Sequence, residues 1–590
     1  MAPQNANSGT YHRKLRPRRT EPNSNKIPIV YPNIDTVFAI PELLGLITDY
    51  LTHEDLRTLI RVCRTWNSYW VPYLYSSLKF FKYKRSRIYP KLEVYGPHVK
   101  TARIFYTALN NIIHILDYAT NIQSLELRAD LAKTRFPQIF AMVPQLRVLH
   151  ISQGVYRSET HCARLLPAAA LSNLEKLTLE GHSRLEVRIN DIMFVIKSCR
   201  KLATLSLESI SIVEELRDVN STAEPEEDLV DLVKVDETGW ESTSLRSLRC
   251  RHVLLDRPNS IHDSQTHVHP CIRRLFQHTP NLTSIEFSGK SILCAVDWEY
   301  IFENRPGLQK AKFWAPAPFH PFHRGGPLDP SAAVKALGAL EKSCHMLKVL
   351  SVGGIRPTTD EAFEKIIKAN HQLEKIDAKF TEFGELALKE LAWILPHSLV
   401  ELNLGGCLKV KSSSIAMVLE NCERLRVLNL FETDAGTIDL FRGNRPWVCA
   451  KSLQKLCISI QPRNHQTVHN NIPWKWEATA ENNNTLYTEE EERIIRDRLR
   501  CFTSLLELDL EGKAMSIGIM DDASFAPRLR SAILNVPSRS LDGNQSAGDR
   551  YVDAQKQAVK WGQGVFPNWN VKASRSYRNG HIWRIEAIRD

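Results

Sequence analysis

Apolar residues recur along most of this chain in one spacing, L-x-x-L-x-L. It reads most cleanly at Leu174/Leu177/Leu179, Leu202/Leu205/Leu207, Leu399/Leu402/Leu404, Leu425/Leu428/Leu430 and Leu505/Leu508/Leu510. Looser copies, with Ile, Val, Ala, Phe or Cys in one or two slots, begin at Val99, Ile122, Leu146, Leu245, Leu282, Leu308, Leu347, Leu373, Leu453 and Leu529. The steps from Leu347 to Leu373, Leu399 and Leu425 are each 26 residues. A single copy arises by chance in an amphipathic helix or a buried strand, but three equal steps in succession mark a stacked architecture.

The last two apolar positions of each copy alternate, which predicts a short strand with those side chains turned inward. Helical spacing follows, as at Ile415, Val418 and Leu419 in SSSIAMVLENCERL. One strand and one helix cannot bury their apolar faces alone, so the units must stack. The expected class is α/β: a curved solenoid over residues 99–535, with a parallel inner sheet and outer helices.

On these residues the repeat resembles leucine-rich repeats, particularly the cysteine-containing type of about 26 residues, and the resemblance implies a horseshoe. The segment SLVELNLGGCLKVKSSSIAMVLENCERLRVLNL fits that type best, with Cys407 after the strand and Cys422 at the end of the helix. Cys199, Cys344 and Cys422 each precede a repeat start by three residues, and such thiols read as small buried hydrophobes packed between coils. Thr433 and Ile355 stand where Cys407 stands in other units, so irregular coils are expected.

Residues 38–80 break the repeat. Pro41 suits a helix's first turn, and Leu43, Leu44, Ile47 and Leu51 then mark one apolar stripe. Thr52 and Asp55 have the spacing of a capping box for a second helix, whose face is Leu56, Leu59, Ile60 and Cys63. A third helical piece carries Trp66 and Trp70. Three helices in about 40 residues make a unit too small to be comfortably stable alone.

This module resembles the F-box, whose pattern opens Leu-Pro-x-Glu and continues through Tyr-Leu, Asp-Leu and Val-Cys-x-x-Trp. The matching residues are Ile40, Pro41, Glu42, Leu43, Leu44, Ile47, Tyr50, Leu51, Asp55, Leu56, Leu59, Val62, Cys63 and Trp66, with Ile40 in place of the opening Leu and Glu42 directly after Pro41, one residue earlier than the pattern has it. The resemblance implies an N-terminal three-helix F-box that binds the Skp-type adaptor of cullin–RING ubiquitin ligases, with the repeats holding a protein substrate for ubiquitination and proteasomal degradation. By that analogy Pro41, Leu43, Leu44, Ile47 and Leu51 contribute to the adaptor interface. Some of these leucines must instead join the helices to one another, and the sequence does not sort the two groups.

Between the inward leucines, strand residues face the other way and give the substrate candidates. They are Arg249 and Arg251; Lys310, Lys312 and Trp314; Lys375, Asp377 and Lys379; and Glu401, Asn403, Asn429 and Phe431. Large aromatics on an exposed sheet face anchor interfaces. Trp314 and Phe431 therefore either anchor a partner or pack on a neighbouring coil. The basic stretch suggests an acidic or phosphorylated substrate segment.

Charge alters this picture little. The 590 residues carry a formal charge of +11, but residues 1–19 hold five basic residues and no acid (Arg13, Lys14, Arg16, Arg18, Arg19), and residues 550–590 hold eight basic against three acidic. The body is nearly neutral, so nucleic acid is not an expected partner. Residues 1–36 read as a disordered basic arm and 536–590 as a C-terminal extension or cap containing Trp561, Trp569 and Trp583. Insertions are expected at 214–241, with eleven acids against Arg217 and Lys234, at the proline-rich 315–333, and at 461–487. Thr488 and Glu491 then have capping-box spacing.

No membrane span or secretory h-region is visible, which points to the cytoplasm, the nucleus or both, with no membrane partner. Neither the twelve cysteines, which form no CxxC pair, nor His267, His269, Cys271, His278, His320 and His323, which fall in apparent insertions, have metal-ligand spacing. No P-loop, G-x-S-x-G or H-E-x-x-H occurs. The expectation is a non-catalytic receptor with no metal or cofactor; the alternative is a repeat scaffold or regulatory binding protein outside ubiquitin ligases.

Overall fold

The computed structural model describes residues 40–81, 91–105, 109–128, 136–152, 172–181, 186–214, 240–255, 267–288, 293–314, 330–354, 358–460, 488–511, 528–537, 559, 563, 570–575 and 582–588. The chain divides into two compact units, 1–76 and 77–590. The expected basic arm at 1–36 and almost all of the three expected insertions lie outside the described residues.

In the first unit three helices span Pro41–Thr48, His53–Leu59 and Arg64–Leu74. The second starts from the capping box read in the sequence: Asp55 N–H donates to Thr52 Oγ1 at 3.2 Å, and Thr52 N–H donates to Asp55 Oδ2 at 2.8 Å. That helix ends at Leu59, so Cys63 does not extend its apolar face as expected. It is exposed, and its Sγ accepts the Trp66 N–H to cap the third helix. Leu44, Leu56, Trp70 and Leu74 form the buried core, with Ile47, Leu51, Leu59, Ile60 and Trp66 packed around it.

The second unit is a solenoid-like α/β repeat. Its strands are β1 (Ser77–Phe81), β2 (Thr101–Phe105), β3 (Ser124–Arg128), β4 (Val148–Ser152), β5 (Lys176–Glu180), β6 (Glu186–Arg188), β7 (Thr204–Glu208), β8 (Ser211–Val213), β9 (Ser247–Arg251), β10 (Leu254–Leu255) and β11 (Ser284–Ser288). They continue as β12 (Lys310–Trp314), β13 (Val349–Gly353), β14 (Lys375–Asp377), β15 (Glu401–Asn403), β16 (Val427–Leu430), β17 (Lys455–Ser459), β18 (Glu507–Glu511), β19 (Ser531–Pro537), β20 (Asn570–Arg575) and β21 (Ile582–Ile588). An 18-stranded sheet takes all but β6, β8 and β10, which form a second, three-stranded sheet. Successive strands from β1 to β19 in the large sheet pair in parallel.

Every repeat start read from the sequence falls two residues before one of these strands. In β16, for example, Leu425 precedes the strand while Leu428 and Leu430 point inward, all three at 0% exposure. Each such leucine returns about 1.5–3 kcal/mol on burial. The sheet departs from expectation at both ends. Ser77–Phe81, placed by sequence at the end of the helical module and before the expected repeat start at 99, is instead β1, in register with β2. At the far end β21 pairs antiparallel with β19 and β20 with β21, and Ile585 and Ala587 are buried.

Six coils turn their corner in the same way. Five residues after the strand begins, the backbone enters the left-handed region at Ser209, His252, Gly354, Phe380, Gly406 and Glu432. At Gly406 the space is also occupied: a Cβ there would sit 2.2 Å from the Phe380 ring. Buried polar side chains join neighbouring coils. Asp360 accepts N–H bonds from Gly384, Leu386 and Ala387, capping the next coil's helix Glu385–Ile394. Asn370, fully buried, accepts from Leu347 N and donates to Ile366 O. Thr381, Cys407 and Thr433 share the slot after the strand, each donating to a backbone carbonyl. Burial pushes the thiol of Cys407 up to about 11 and those of Cys199, Cys344 and Cys422 up to about 12.

Candidate functional site

Two surfaces carry the sequence-derived candidates, one on each unit. On the first helix the structure sorts the adaptor residues. Leu44 lies inside the core, Ile47 and Leu51 pack half-buried against it, and Leu43 faces outward at 38% exposure. Pro41 opens the helix. The outward face holds apolar residues beyond those five: Ile40, Leu46 and Tyr50 are exposed, Tyr50 at 88%, and Val62 is exposed beyond the second helix. Leu46 lies three residues after Leu43, a spacing that puts the two on one helix face, and Tyr50 follows in the turn after the helix ends at Thr48. The sequence stripe passed over that face because Leu44 and Ile47 gave an equally regular alternative.

On the repeat unit the candidates share one sheet face. In β12, Ala311 and Phe313 point inward and Lys310 and Lys312 outward. Register carries that face across the strands, from Arg249 to Glu286, Lys312, Ser351, Asp377, Asn403 and Asn429. Glu286, which the sequence did not single out, is held by Arg251 at 2.8 Å and lies 3.7 Å from Arg249. Lys375 pairs with Glu401 on β15. Among the described residues no carboxylate pairs with Lys310 or Lys312. Burial holds the Lys310 ammonium below its ordinary value, and the like charges of Lys312, Arg249 and Lys375 add to this against Glu286. Burial holds the Asp377 carboxyl above its ordinary value, with Lys379 opposing.

Trp314 ends β12 at the rim of this face. Asn403 and Asn429 stand opposite each other in register, and Phe431 follows β16, half-buried. The face is thus basic from β9 to β14 and amide-lined across β15 and β16.

Of the histidines placed by sequence in insertions, His267, His269 and His278 belong instead to a coil, and His320 and His323 lie outside the described residues. His269 Nδ1 accepts the Cys271 N–H to cap helix Pro270–Gln277, and His278 stacks on Trp240 with ring centroids 4.4 Å apart. Among the described residues no group of His, Cys, Asp or Glu is placed to hold a metal, and no helix is long and apolar enough to cross a membrane.

No protein-family model matches the chain, and no curated protein matches its sequence. Among solved structures it is similar to a chain in the crystal structure of the Rad7 and Elc1 complex in yeast. The identity is 12%, the match covers 72% of this chain and 88% of that chain, and the TM-score is 0.39. A likeness of that degree assigns no activity.

Proposed function

We propose that the chain is the substrate-recognition subunit of a Skp–cullin–F-box ubiquitin ligase, acting in the cytoplasm or nucleus without catalysing bond chemistry itself. The first unit is an F-box that docks the Skp-type adaptor, which connects it to cullin and RING subunits. The repeat face holds the protein substrate near the ubiquitin-loaded enzyme, raising its effective concentration for ubiquitination and degradation. The observation that carries this reading is the set of exposed apolar residues Ile40, Leu43, Leu46 and Tyr50 on and beside the first helix, on a unit whose core among the described residues is Leu44, Leu56, Trp70 and Leu74. Leu43 and Leu46 together expose about one whole leucine side chain, so a partner that buries both gains about 1.5–3 kcal/mol of transfer free energy.

Co-purification of the full-length protein with the adaptor and cullin tests this. Leu43→Asp with Leu46→Asp should abolish capture while the helical unit stays folded, with a small loss of stability because Leu43 is partly covered. Retention of both partners would refute the F-box assignment and leave a repeat scaffold outside ubiquitin ligases.

The basic face supports a substrate segment that is acidic or phosphorylated. Lys310 and Lys312 crowd each other without a carboxylate partner among the described residues, a repulsion that an arriving anion relieves. Lys310→Glu, Lys312→Glu and Lys375→Glu together should weaken substrate capture at least tenfold, and unchanged capture would remove this part of the reading.

A further inference from the structure

The sheet face beside the basic strip carries a repeated device. Asp377, Asn403 and Asn429 occupy one register position on β14, β15 and β16. Each turns a side-chain oxygen back onto the backbone N–H two residues ahead. Gly405 N–H donates to Asn403 Oδ1 at 3.4 Å, Phe431 N–H donates to Asn429 Oδ1 at 3.0 Å, and the Lys379 backbone N–H bonds to the Asp377 carboxylate. A backbone N–H is only a donor, so the asparagine oxygen must face it and each amide orientation is fixed. The two Nδ2 groups are left over, with no bond to any described residue.

These donors stand on adjacent paired strands, about 4.8 Å apart at the backbone. Between them and Phe431 lies Gly405, which leaves the floor bare: a Cβ there would lie 3.6 Å from Asn403 Oδ1 and 3.8 Å from Asn429 Nδ2. The positive charge of Lys379 acts on Asp377 and on Cys457, which lie on the strands to either side of the asparagine pair. Two fixed N–H donors at that separation fit the two oxygens of one carboxylate, with the Lys379 ammonium nearby as counter-charge. Asp377 beside Asn403 makes the same spot unfavourable for a more highly charged anion or for a run of phosphates.

We propose that Asn403 and Asn429, with Lys379, form a carboxylate-binding notch for a protein segment lying on the repeat face. The notch deepens the substrate-receptor reading and rests on it for the identity of the segment's owner. Phe431 supplies an apolar wall for the residue next to the carboxylate. The carboxylate is either a chain end or an Asp or Glu side chain, and both present the same two oxygens.

Random heptapeptide libraries test the notch on the full-length protein, in four versions: free or amidated C-terminus, each with or without Asp and Glu. Carboxylate-bearing libraries should be retained at least about tenfold better than the amidated, acid-free library. Loss on amidation alone assigns the chain end, and loss on omission of Asp and Glu alone assigns the side chain. Asn403→Asp with Asn429→Asp keeps the oxygen that holds the backbone N–H and replaces each donor with a negative acceptor, so the variant should fold, melt somewhat below the parent because the new carboxylates adjoin Asp377, and lose the preference. Retention of the amidated, acid-free library at equal strength, or an undiminished preference in the folded double variant, would overturn the notch. Adaptor capture is read in the same preparation: if it fails while the preference holds, only the ligase reading falls.

Discussion

The two units spend their apolar residues in opposite ways. The repeat unit buries them: the leucines of its strands and the helices behind them form one continuous core, and its outward sheet face is left to charges, amides and serines. Among the described residues the helical unit closes a core of Leu44, Leu56, Trp70 and Leu74 and leaves Ile40, Leu43, Leu46, Tyr50 and Val62 exposed. A thin core with an apolar exterior suits a surface completed by another protein, whereas a deep core with a polar face suits recognition by charge and hydrogen bonds. Trp393, at 83% exposure on helix Glu385–Ile394 with Leu386 on the same helix, is an apolar exception on the repeat unit.

If the contrast in burial is real, alkaline pH should strike the repeat unit hardest. Its buried thiols are pushed up to about 11 at Cys407 and Cys457 and about 12 at Cys199, Cys250, Cys344, Cys422 and Cys449, in each case first by burial. Above pH 9 the unfolded thiols ionise and the folded ones do not, so the unfolded state binds fewer protons and stability falls as pH rises. Each thiol contributes about 1.4 kcal/mol per pH unit in that window. Urea unfolding of the sheet should therefore shift to markedly lower midpoints between pH 8 and pH 10. A flat midpoint would mean that water reaches these thiols.

The next largest effect comes from Gly406→Ala. The left-handed backbone costs a non-glycine residue about 1–2 kcal/mol, and the new methyl must displace the Phe380 ring. A loss of about 2–4 kcal/mol is expected from the two together. A neutral substitution in the same urea experiment would show that the corner yields.

The repeat was legible because burial imposes it: a strand covered by helices must place leucines at fixed steps, and all fifteen predicted starts precede a strand. What escaped reading depends on neighbours in space. Ser77–Phe81 has no preceding coil to set a period, yet pairs with β2 along its length. Cys63 looked like a helix face residue because the chain reversal after Ile60 has no apolar signature of its own, and it serves as a cap. Glu286 became significant only when register set it beside Arg249 and Arg251. The sorting of Leu43 from Leu44 needed the third helix, since Trp70 and Leu74 decide which side of the first is inside.

The smallest effects probe the helical unit and run in opposite directions. Thr52→Ala removes the cap that holds Asp55 N–H and should cost about 1 kcal/mol. Gly45 lies inside the first helix with nothing within 4 Å of a Cβ added there. Alanine at that position loses less conformational entropy on folding and needs no neighbour to move, so Gly45→Ala should stabilise the helix by about 0.5–1 kcal/mol. Amide exchange in the full-length protein reads both locally. Protection over residues 44–51 should rise about two- to fivefold in Gly45→Ala, while protection over residues 55–60 should fall about fivefold in Thr52→Ala. The same Gly→Ala change would then strengthen the unit with the thin core and weaken the unit with the deep one, because only in the latter is the added methyl's space already taken. If Gly45→Ala instead lowered protection, the first helix would be packed more tightly than its exposed face implies, and the proposed docking surface would lose its physical basis.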